Sequence, residues 1–106
     1  MTRRSYATSA VPVGGRDPAA PAAYDDADVV AIQALVTGTA DAAQQQRALR
    51  WIVERAADTY GLSYRGGDAA ATAFAEGKRC VGLQIVKLSK LRLDKLRAAD
   101  SGEDPA

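Results

Sequence analysis

From Tyr24 onward the apolar positions recur mostly at spacings of three and four, the period of helices with one face turned inward. The first predicted helix carries Val29, Ile32, Leu35 and Val36 as a short stripe. Asp25, Asp26 and Asp28 supply its cap and suit the positive end of its dipole, and Thr37-Gly38 ends it. A second helix starts near Thr39 or Asp41, carries Leu49, Ile52, Val53, Ala56 and Tyr60 with Trp51 beside them, and closes at Gly61. The loop "LSYRGGD" then leads to Asp68, a natural N-cap. After it, nothing stops a helix until Ala99 to Gly102. Such a helix of about thirty residues spans about 45 Å, more than the two before it can cover. No strand pair shows convincing alternation. The expected fold is all-α: a small helical hairpin or three-helix bundle, with a long C-terminal helix and an extended N-terminal arm.

The third helix has apolar residues on two sides. Phe74, Gly77, Val81, Ile85 and Leu88 fall within one stripe, which is expected to pack on the first two helices, with Gly77 allowing close backbone approach. Trp51 is the matching core anchor. Gly82, Leu83, Val86 and Leu93 lie on the far side and are candidates for contact with a partner. The bland alternative is that these leucines are simply exposed, as many are.

Composition sharpens the picture at both ends. Residues 1–24 hold three of the four prolines (Pro12, Pro18, Pro21) and the pair Gly14-Gly15, with no apolar period. Such a segment buries too little to offset its ordering entropy, so it reads as a free or draped arm. Residues 25–99 form the helical domain, and residues 100–106 read as a flexible acidic tail. What remains is near the lower size limit for a self-sufficient core, which favours self-association or docking.

Chemistry is bounded more tightly. The 106 residues include no histidine and one cysteine, Cys80. That excludes a histidine acid/base pair, a Ser-His-Asp triad, an imidazole metal site and an internal disulfide. Cys80 in an apolar helix is expected to be a small buried residue. The acidic residues are too scattered for a hard-metal loop, no cofactor motif is present, and no enzyme activity is expected. No secretory signal follows Arg3 and Arg4, and no stretch is long enough to span a membrane, so a cytoplasmic origin without membrane contact is expected.

The net charge of +1 hides an uneven distribution. Lys78, Arg79, Lys87, Lys90, Arg92, Lys95 and Arg97 are opposed between residues 78 and 97 only by Asp94, whereas residues 25–58 are acidic. The basic end, led by Lys87, Lys90, Arg92, Lys95 and Arg97 and joined by Arg3 and Arg4 on the arm, is a candidate handle for DNA phosphates or an acidic protein surface. A solvated helix end is the plainer reading. The basic end could also meet the acidic first helix of a neighbouring copy. "GKRCVG" lacks the ending of a phosphate loop, and one Arg-Gly-Gly in "YRGGD" is weak evidence for RNA.

"TAFAEGKRCVGLQIVKL" resembles a family of small proteins from short-tailed bacteriophages, encoded among head and portal genes. The shared signature falls on Phe74, Glu76, Gly77, Lys78, Arg79, Val81, Gly82 and Leu83, with lysine in place of the first arginine. "ALRWIVERAADTYGLSYRG" resembles the family's preceding helix and loop, and the resemblance covers roughly residues 28–90. It implies a non-enzymatic virion or virion-assembly component, assembled in the host cytoplasm and contacting capsid, portal or connector proteins or its own copies. The alternative is a DNA-binding packaging or regulatory protein, small-terminase-like, using the basic helix.

Overall fold

The computed structural model describes residues 17–102. They form four α-helices: α1 (Asp26–Thr37), α2 (Ala42–Trp51), α3 (Ala69–Lys90) and α4 (Leu93–Gly102). The all-α expectation is borne out. Arg3, Arg4 and the rest of residues 1–16 lie outside the described residues, as do residues 103–106.

Local chemistry sets the helix starts. The Asp25 carboxylate accepts a hydrogen bond from the Asp28 amide (3.0 Å), and the Asp28 carboxylate accepts one from the Asp25 amide (3.0 Å). Asp41 and Gln44 make the same reciprocal pair at the start of α2 (2.8 and 3.0 Å). Asp68 caps α3 by accepting from the Ala71 amide at 2.9 Å. Gly38, at φ 76°, ends α1 in the left-handed conformation that costs glycine nothing. The short connection that follows folds α1 and α2 into a hairpin.

Two expected boundaries move. α2 does not run on to Tyr60: after Trp51 the chain widens into a π turn, Ile52–Ala56, and Asp58 adopts a positive φ of 50°. Thr59 then turns back, its amide and hydroxyl both donating to the Val53 carbonyl at 3.1 and 2.6 Å. The expected thirty-residue third helix breaks as well. α3 stops at Lys90, Leu91 is extended (ψ 143°), and α4 begins at Leu93 with Asp94 in its first turn. Ser89 donates to the Val86 carbonyl at 2.7 Å, the local bonding by which serine competes with helix continuation. Asp100 to Gly102, read from sequence as tail, complete α4.

The packing is made by small side chains. Ala31 of α1 and Ala48 of α2 are 1% and 0% exposed, and Ala23, Val53, Ala57, Thr59 and Ala75 are buried with them, as are Pro18 and Gly82. Among the described residues no large side chain is fully buried, while Val36, Tyr60 and Leu88 are 80%, 69% and 69% exposed. The stripe expected to bury α1 (Val29, Leu35, Val36) therefore lies exposed, with Ile32 half-buried. Alanine at the contact lets the two helix axes come close, and the larger neighbours are left outside.

Residues 17–24, part of the predicted arm, drape across this body. Pro18 is buried, and its carbonyl accepts a hydrogen bond from Lys78 Nζ of α3 at 2.8 Å. Further on, the Ala23 carbonyl accepts from Trp51 Nε1 of α2 at 2.8 Å. The segment thus ties α2 and α3 together.

Candidate functional site

Among the described elements α3 packs on the π turn and on no other helix, and α4 packs on no other helix. The packed face of α3 centres on Ala75 (3% exposed) and Gly82, which is buried. A β-carbon at Gly82 would fall on Thr59 Oγ1 and lie 3.0 Å from the Ala57 Cβ. Thr59 is held in that position by its two bonds to Val53, so the turn has no room to yield. Gly82 is therefore an internal contact of the fold.

This exchanges the two faces expected from sequence. Phe74, Val81 and Leu88, expected to pack inward, are 52%, 54% and 69% exposed, and Ile85 is half-buried at the edge of the packed face. Gly77 has open space where a β-carbon would be, so no backbone among the described residues approaches it. Of the candidates placed on the far side, Gly82 is buried, Val86 is half-buried, and Leu83 and Leu93 are exposed at 41% and 55%. The reason is physical: the π turn arrives close to α3, and only alanine or glycine fits beneath it. Cys80, expected inside, is exposed.

Lys87 and Lys90 at the end of α3, Arg92 in the connection, and Lys95 and Arg97 on α4 are all exposed. Arg92 pairs with Asp94 at 3.1 Å. Leu91 and Leu96 are exposed among them, so the basic end is also an apolar one. Lys78 and Arg79, further up the helix, are engaged instead: Lys78 with Pro18, and Arg79 with Glu76 at 3.6 Å.

A second feature escapes sequence reading. Tyr24, Asp28, Val29, Ile32, Gln33 and Trp51 line an open, mostly apolar cleft of about 310 Å³ beside α1. Its acidic wall is already occupied. Arg47 Nε donates to Asp28 at 2.9 Å, and its NH2 group donates to Asp25 at 3.0 Å. Desolvation opposes the Arg47 charge, but the hydrogen bonds and charges of Asp28 and Asp25 outweigh it and raise its pKa. A raised folded-state pKa gives stability that is complete below arginine's ordinary range and lost only above it, so this network adds no pH dependence near neutrality. Trp51, half-buried, serves the fold through its bond to Ala23 as well as lining the cleft.

Among the described residues no cluster of carboxylates and thiol could hold a metal ion, and no helix is long and apolar enough to cross a membrane.

Against known proteins, residues 38–99 match the model of the Bbp19-like phage protein family. No curated protein and no solved structure matches the chain. The match begins later than the resemblance read from sequence, leaving α1 outside it, and extends through Ala99, so it takes in most of α4. Both glycines of α3, the π turn and the basic end lie within it. The chain belongs to the Bbp19-like phage protein family.

Proposed function

We propose that this member of the Bbp19-like phage protein family is a non-enzymatic structural or assembly component of the virion, acting through helix-face contacts with other virion proteins. The observation that carries the reading is the inverted use of side chains. Small residues hold the fold together, and Phe74, Val81, Leu88, Leu93 and Leu96 stand exposed along α3 and α4. Exposed apolar surface of this extent on a small domain marks an interaction surface. α4 supports it further: an isolated ten-residue helix is marginal in water, so a partner is the natural source of its stability. On this reading the protein is made in the host cytoplasm, resides in the particle, and uses no cofactor.

The test is to purify particles and assembly intermediates of the phage that encodes the chain on a density gradient and analyse them by mass spectrometry. The chain is expected to co-sediment with capsid and portal proteins. Its absence from every particle fraction would overturn the proposal.

DNA binding is the second reading, supported by the exposed Lys87, Lys90, Lys95 and Arg97. It requires duplex affinity that falls steeply between low and moderate salt, because each phosphate contact releases counterions.

A further inference from the structure

The break between α3 and α4 contains no residue that demands it. Residues 83–101 include neither glycine nor proline, the usual causes of a sharp break, and the leucines, lysines and arginines there all favour helix. Packing does not impose it either. Every residue from 87 to 100 is exposed, and α4 packs on no other described helix. What marks the bend is local: Leu91 is extended (φ −66°, ψ 143°), Ser89 donates to the Val86 carbonyl, and Arg92 pairs with Asp94. That ion pair is open to water, with side chains 66% and 69% exposed, and such pairs hold little.

We infer that Leu91 is a hinge, and that α3 and α4 exchange between this bent form and a straight one in which residues 69–102 are a single helix about 51 Å long. Each form satisfies what the other gives up. In the bent form Lys87 and Lys90 lie at the carbonyl end of α3 and Asp94 at the amide end of α4, where their charges suit the two helix dipoles. The straight form loses those ends but gains the backbone bonds that an extended Leu91 interrupts. It also brings Asp94 one turn from Lys90, a new partner for its charge. The exchange changes the surface as well. Val86, Leu93 and Leu96 follow one another at spacings of seven and three, so a straight helix carries them on one line. The bend takes the two leucines off that line. A partner that contacts Val86 together with the leucines therefore selects the straight form, and one that grips α4 alone accepts the bent form. The inference does not rest on the virion reading, because the exchange is a property of the isolated chain.

The test is a distance measurement by pulsed electron spin resonance between nitroxide labels on the native Cys80 and on Lys95→Cys, both exposed positions. Excess unlabelled chain ensures that only pairs within one molecule are read. A straight helix sets the two backbone positions about 22 Å apart. Two populations are expected, one of them at the straight-helix separation. Arg92→Pro requires extended backbone at residue 91 and removes an amide that the straight helix uses, so it is expected to abolish that population. Ser89→Ala combined with Leu91→Ala removes the serine bond and supplies the best helix former, and is expected to enlarge it about twofold and raise the helical circular dichroism. A single narrow distance in the otherwise unaltered chain overturns the proposal, as do two populations that neither variant shifts.

Discussion

The two sides of α3 use opposite materials. Where the helix meets its own chain it presents Ala75 and Gly82, and where it meets solvent it presents Phe74, Val81 and Leu88. The first side has almost no surface to bury, but it lets the Thr59 turn approach so closely that even one β-carbon would collide. The second side could bury far more and buries little. The hairpin repeats the division, with Ala31 and Ala48 inside and Val30 and Val36 outside. Size alone therefore does not say which face of a helix is the core. A close contact selects small residues, and the large residues left outside hold the binding energy available to another molecule.

Substitutions that act on one side and spare the other probe this division most directly. All are best measured at one low protein concentration, so that association does not enter the melting temperature. The largest effect is expected from Gly82→Leu, which drives a side chain into Thr59 and Ala57 and should cost about 3 kcal/mol. Thermal melts followed by circular dichroism should show α3 detached or the transition lost. An unchanged melt would mean that the packed face lies elsewhere. A smaller contrast separates the bases. Lys78→Ala removes the bond to Pro18 and should cost about 1 kcal/mol by denaturant titration, whereas Lys87→Ala should stay within about 0.5 kcal/mol. Equal losses would deny that residues 17–24 are tied to α3.

Much of this fold was legible in the residues. The capping aspartates Asp25, Asp41 and Asp68 each start a helix, and Gly38 ends the first, because these signals are local and owe little to tertiary context. The faces were not legible. A helical wheel weights large apolar side chains as core, and here the contacts are made by alanine and glycine, whose pattern on the wheel carries little signal. The π turn was also hidden: it shifts the register of Ala57 and Thr59 toward α3, so that Tyr60, which continues the α-helical period, ends up outside. The break at Leu91 left only a faint trace, Ser89 followed by Asp94 at the start of a new helix. Cys80 was misplaced for the same reason as the stripes: its apolar neighbours belong to an open face. The Tyr24–Trp51 cleft joins residues far apart in sequence and had no sequence signal.

The most direct measurement is a pair of melts, Gly77→Ala and Gly82→Ala, each against the unaltered chain at the same low concentration. Both replace a helical glycine by the best helix former, a gain of about 1 kcal/mol where nothing else changes. Gly77 has open space around it, so Gly77→Ala should raise the melting temperature. At Gly82 the collision with Thr59 should exceed that gain and lower it, by a net of about 1 to 2 kcal/mol. Opposite shifts would establish which face of α3 the fold uses and which it leaves for another molecule. Shifts of the same sign, or a stabilising Gly82→Ala, would contradict the account.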